Sequence, residues 1–128
     1  MYDHISVGVE DLERSGAFYD AALAPLGIVR LKTGARGVTY GPPGWTGEEP
    51  FAIVKVPDPG AARAGFHLAL RAPDRAAVDR FHAAALAHGG VDEGPPGIRD
   101  NYNPGYYAAF VRDLDGHRLE AVVHEPLR

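Results

Sequence analysis

Residues 4–27 of the chain recur, without a gap, 63 positions further on. His4 falls on His67, Asp11 on Asp74, Phe18 on Phe81, the Ala-Ala-Leu-Ala of residues 21–24 on that of 84–87, and Gly27 on Gly90. Alanine-rich helices match one another by composition, but the histidine, aspartate, phenylalanine and glycine pairs lie outside that explanation. A repeat of this kind is one supersecondary unit present twice, and neither copy can bury its apolar face alone. The constraint is severe: whatever the first copy folds into, the second must fold into as well.

Each copy reads as a strand followed by a helix. Residues 4–9 alternate in the period of a strand. Asp11 is placed to cap a helix over about 13–23, on which Ala17, Phe18, Ala21 and Ala22 share a face. In the second copy, 66–70 is the strand and Asp74 the cap, and Val78, Phe81 and Ala85 recur at helical spacings. Gly27 and Gly90 are the expected stop signals. Strands are predicted at 28–32, 37–40 and 51–56 after the first helix. After the second they are predicted weakly near Val91, then at 106–112 and 117–124, with Asp115-Gly116 as a hairpin turn. The Gly/Pro clusters at 41–50, 57–65 and 94–105 read as loops. The unit is therefore βαβββ, twice. The expected fold is α+β, a single domain over 1–128, with module 1 at about 1–56, a linker at 57–64 and module 2 at about 65–125.

Composition narrows the function. A chain of 128 residues buries a core without staples. It has no cysteine, so any metal must rest on imidazole, carboxylate or carbonyl groups. A net charge of −4 without a basic run argues against nucleic acid as partner. No apolar run reaches the roughly 20 residues of a membrane span. The opening Met-Tyr-Asp-His lacks a signal-peptide pattern, so a cytoplasmic protein is expected.

Strand alternation then sorts the polar residues. On the first strand His4, Ser6 and Gly8 oppose Ile5, Val7 and Val9. On the strand at 66–70, His67 and Ala69 oppose Phe66, Leu68 and Leu70. On the last, Arg118, Glu120, Val122 and His124 oppose Leu119, Ala121 and Val123. The apolar faces suit packing beneath helices. If the opposite faces curve toward one another, His4, His67 and Glu120 supply two imidazoles and a carboxylate, a ligand set for a divalent ion with open positions. His124 shares the face of Glu120 but lies about 13 Å along it, too far for the same ion. His82 and His88 read as solvent-facing. Trp45 either walls a cavity or covers an edge. Tyr102, Tyr106 and Tyr107 sit in a Pro/Gly segment, where they either donate hydroxyls to a substrate or fill space; Tyr102 and Tyr107 are the candidate catalytic residues.

Three segments carry a resemblance. Residues 4–19, with a strand histidine and then Asp-Leu, Ser and Phe-Tyr, are similar to the opening of the glyoxalase/bleomycin-resistance/extradiol-dioxygenase (vicinal oxygen chelate) proteins. Residues 65–70 resemble the start of their second module. The segment Phe110-Val-Arg-Asp-Leu-Asp-Gly-His-Arg-Leu-Glu120 resembles their closing signature, with Leu114 in place of a usual proline. The resemblance implies paired βαβββ modules forming a cup-shaped mixed sheet, with His4, His67 and Glu120 at ligand positions for a Zn, Fe, Mn, Ni or Mg ion. Glyoxalase I enzymes add a ligand on the fourth strand; here the alignment places Ile53 or a neighbour, none able to ligate, which counts against that activity. What remains implies a metal-dependent lyase, isomerase, transferase or dioxygenase acting on a small oxygen-rich molecule. The alternative is a metal-free protein that binds a small molecule or an antibiotic. The resemblance also implies a homodimer, with modules paired within or between chains.

Overall fold

The computed structural model describes residues 1–60 and 64–126. The predicted linker falls in part on residues 61–63, which lie outside the described residues. Strand β1 is Ile5–Val9 and helix α1 Leu12–Leu23, extended by a short 3-10 turn, Ala24–Leu26. Strands β2 (Val29–Thr33), β3 (Gly37–Gly41) and β4 (Phe51–Lys55) follow. The order then repeats as β5 (Leu68–Arg71), α2 (Arg75–Ala87), β6 (Val91–Ile98), β7 (Tyr106–Arg112) and β8 (Arg118–His124). The strands form two mixed sheets with the same logic, β1-β4-β3-β2 and β5-β8-β7-β6. In each, the first strand of the unit runs parallel to its last, and the others are antiparallel. The fold is α+β, as expected.

The local chemistry of the repeat is reproduced in its caps. The Asp11 side chain accepts from the Arg14 amide at 3.0 Å, and that of Asp74 from the Ala77 amide at 2.7 Å. Each satisfies one of the amides that a first helical turn leaves without a partner. The stop signals differ. Gly27 is left-handed, with φ 78°, but in the second copy the left-handed residue is Gly89, with φ 95°, not Gly90. A side chain at Gly90 would meet Phe18 at 2.9 Å, so that glycine is required by packing.

The helices pack on each other, and each covers its own sheet. Repeat-related Phe18 and Phe81 are both fully buried, in one core shared with Tyr19, Leu23, Ile53, Val78, Val111 and Leu119. The buried stripe of α1 is not the predicted one. Ala17 is exposed, while Ser15 and Tyr19 turn inward. Their hydroxyls are accepted by carboxylates of the other module, Asp115 at 3.4 Å and Asp113 at 2.5 Å. Polar groups enter a core where partners await them, and the partners here are almost a hundred residues away.

The weakly predicted strand near Val91 is eight residues long and runs through Gly94-Pro95-Pro96-Gly97, which reads as loop in the sequence. It is an edge strand, and its register with β7 slips between Asp92 and Gly94 and again between Gly94 and Gly97. Prolines are tolerated where bulges and an open edge remove the need for an amide donor.

Candidate metal and ligand site

The helices cover one face of each sheet, and among the described residues no helix covers the other. In the second sheet, register places Phe110 opposite Glu120, and Tyr106 opposite His124. Ala69 of β5 lies beside Glu120 of β8, so His67, two residues before Ala69, shares its face. The result is a pair: His67 Nε2 is 2.8 Å from Glu120 Oε1. The Tyr106 hydroxyl donates to the other carboxylate oxygen. Glu120 is only 1% exposed, and a carboxylate so far from water needs donors or a cation. Burial first, and then the Glu120 hydrogen bond, push the Tyr106 phenol well above its ordinary pKa of 10.0. It therefore remains a donor through the physiological range. The ring of Tyr106 is flanked by Tyr102 and His124, with centroids at 5.0 and 5.1 Å.

The third expected ligand stands apart. His4 is exposed, and its Nδ1 donates to Asp3 at 2.6 Å; that hydrogen bond is the main cause of a raised imidazole pKa. Among the described residues no group of three His, Asp or Glu side chains is close enough to hold one ion. The donor set nevertheless suits a cation as far as it goes. Two ligands about 2.1 Å from one ion and at right angles around it lie about 3 Å apart, close to the His67–Glu120 separation.

Register also identifies the module 1 counterpart of Glu120. Ile5 pairs with Phe51 as Leu68 pairs with Leu119, so Ala52, not Ile53, occupies the position of Glu120. Ile53 is fully buried against the helices. The conclusion that no ligand stands there is unchanged, because alanine offers none.

The tyrosines separate by the same alternation. Tyr107 lies on the helix-covered face; its hydroxyl donates to Asp79 of α2 at 2.6 Å, and the Arg75 guanidinium sits 4.9 Å from its ring centroid. It lies on the side of the sheet away from Glu120. Tyr102 lines a pocket with His67 and Phe110 on the open face. Tyr106, not singled out as catalytic, makes the contact with Glu120. Counting back in steps of two along the paired strand from Phe110 marks it, once the pairing is known.

Elsewhere, His82 is not solvent-facing. Its side chain is 12% exposed and donates to Asp92 at 2.9 Å, since β6 runs beside α2. Exposed His88 donates to the Ala84 carbonyl at 2.9 Å. Trp45 is exposed and donates to the Glu48 carbonyl at 2.8 Å within its own loop. His117, unremarked in the sequence, is buried and donates to the Gly8 carbonyl at 2.7 Å, satisfying the outer edge of β1.

With this geometry in view, comparison with known proteins is informative. A family model described as Glyoxalase/Bleomycin resistance protein/Dioxygenase superfamily matches residues 2–121. A glyoxalase/bleomycin resistance protein from Albidiferax ferrireducens is 37% identical, with a TM-score of 0.79 over 94% of this chain and 96% of that one. The fosfomycin resistance protein FosX from Mesorhizobium loti is 20% identical, with a TM-score of 0.67 over 95% and 90%. A variant FosX from Listeria monocytogenes, in complex with Mn(II) and 1S,2S-dihydroxypropylphosphonic acid, is 18% identical, with a TM-score of 0.67 over 95% and 88%. The two FosX proteins share the fold at identities too low to transfer more. No curated protein matches. No helix among the described residues is long and apolar enough to cross a membrane. The match over residues 2–121, the paired βαβββ units and the 37% relative place this chain in the Glyoxalase/Bleomycin resistance protein/Dioxygenase superfamily.

Proposed function

We propose that the chain is a divalent-metal-dependent enzyme of the lyase, isomerase, transferase or dioxygenase kind, acting on a small oxygen-rich molecule. We further propose that it works as a homodimer, with His67 and Glu120 of one copy completed by His4 of the other. The observation that carries this reading is the His67–Glu120 pair, 2.8 Å apart on the face that no helix covers. His4 belongs to the corresponding face of the other sheet, and its repeat partner is His67 itself. Among the described residues, β1 and β5 each pair with a strand on one side only, and a second copy covers such edges.

The ion, when bound, supplies a Lewis acid that stabilises negative charge developing on a substrate oxygen. The chain supplies the rest. Tyr106 holds the Glu120 carboxylate in one orientation, and the buried position of Glu120 excludes water from its side of the site. Tyr102 offers an exposed hydroxyl at the rim of the pocket. A Mn(II)-bound FosX with the same fold is consistent with this assignment.

The test is metal analysis of protein purified without added metal or chelator, together with light scattering. Near-stoichiometric metal lost in His67→Ala is expected, as is twice the 13.7 kDa chain mass. Mixing His4→Ala with Glu120→Ala restores binding if the ligands come from two copies. The second reading, a metal-free binding protein, draws on the separation of His4 from the pair. It prevails if the purified protein carries no transition metal and takes none up.

A further inference from the structure

We propose that the open face of the second sheet recognises a small ring-bearing carboxylate and that Arg118 anchors its anionic end. The inference rests on reading this face as the ligand site, and it adds the class of ligand. Arg112 and Arg118 lie directly opposite each other on neighbouring strands. Like charges in that position repel. One carboxylate, Glu93, serves both, with Arg112 Nε at 2.8 Å from its Oε1 and Arg118 Nε at 3.6 Å from the same oxygen. Two guanidiniums share one carboxylate, so the group keeps a net positive charge, and Arg118 holds its partner the more loosely.

The space beside Arg118 is built for a ring. A pocket of about 290 Å³ is lined by Phe66, Tyr102 and Phe110 together with His67, Glu93 and Arg118. That volume lies at the small end of the roughly 300–1,000 Å³ usual for small-molecule sites, the size of a one-ring ligand. Phe66 and Tyr102 are 49% and 54% exposed, large aromatic surfaces left uncovered; such surfaces mark binding sites. Arg99 lies 5.5 Å from the Phe110 ring centroid and adds positive charge to the same wall.

The spacing joins the two ends. Arg118 precedes Glu120 by two residues on one strand, so their backbones lie about 6.6 Å apart on the same face. A benzene ring with oxygen functions at opposite ends spans a comparable length. Its carboxylate meets Arg118 while its other oxygen reaches His67, the partner of Glu120.

The probes are 4-hydroxybenzoate and its neutral counterpart 4-hydroxybenzamide, titrated calorimetrically into the purified full chain. The carboxylate is expected to bind roughly tenfold or more tightly than the amide, the size of a charge-assisted contact. Arg118→Gln should abolish that preference, and Arg118→Lys should restore part of it. Both variants should melt within a few degrees of the parent, because the Arg118 side chain is 40% exposed. Equal binding of the two probes, binding of neither, or a preference that survives Arg118→Gln overturns the proposal. Metal analysis of the parent protein used in the titration separates this idea from the metal reading. A preference shown by parent protein that carries no transition metal and takes none up sinks the metalloenzyme alone, whereas a metal site without the preference sinks the carboxylate anchor alone.

Discussion

Tyr19 on α1 donates its hydroxyl hydrogen to Asp113 Oδ2 at 2.5 Å, joining the two halves of the chain across 94 residues. The other oxygen of Asp113 accepts the amides of Asp115 and His117 at 2.9 and 2.8 Å. Asp115 in turn accepts from the Glu10 amide at 3.1 Å and from Ser15. With His117 held to Gly8, the turn at 113–117 is seated on the corner where β1 enters α1. It fixes one unit against the other, and hence the direction in which each open face points.

This contact has a pH signature. Burial is the largest influence on Asp113 and pushes its carboxyl above the usual 3.8, although Tyr19, His117 and the two amides pull it down. A raised value means that the fold holds the Asp113 proton more tightly than the unfolded chain does. Its contribution to stability is fully present below pH 3.8 and fades as pH rises through the raised value. Asp113→Asn lacks this titration. The parent-minus-variant difference in Tm should therefore be most positive near the acid end of a series from about pH 3.5 to 7 and should decline with rising pH. A difference that does not change over the series refutes the assignment.

The caps test the equivalence of the two copies. Asp11→Ala and Asp74→Ala should each cost about 1 kcal/mol in urea denaturation, and the double variant about the sum, since they start different helices. A negligible cost at either position would show that the cap there is not contributing.

Ala52 occupies the place of Glu120 in the first sheet. If the proposed two-copy site forms, Ala52→Glu adds a fourth ligand beside His4. Its affinity for a transition metal, read by competition with a chromogenic chelator, should rise by about tenfold or more. Unchanged affinity would place His4 and Ala52 away from the metal.

Tyr106→Phe keeps the ring packed between Tyr102 and His124 while deleting the hydrogen bond to Glu120. Outer partners of a ligand typically matter by about 10–100-fold in metal affinity, and a loss in that range is expected. A normal affinity would mean that Glu120 is oriented without the hydroxyl.

Much of this protein was legible in the chain itself, for a physical reason. Strand and helix periods, the aspartate caps and the 63-residue repeat are local signals. They suffice to name two βαβββ units and to put His67 and Glu120 on faces turned away from the helices. What they do not contain is register between distant strands. That Ala69 lies beside Glu120, that Ala52 rather than Ile53 is its counterpart, and that Tyr106 rather than Tyr107 meets the carboxylate follow from pairings made across the sheet. The prolines of β6 look like a loop because their unneeded amides become acceptable only at an open, bulged edge. Ser15, Tyr19 and His117 face inward only because Asp115, Asp113 and Gly8 of the other unit are there to receive them. Local pattern determined most of the elements and the alternation of faces along the strands. Tertiary structure decided which faces meet, because burying a polar group depends on a partner that the neighbouring sequence does not supply.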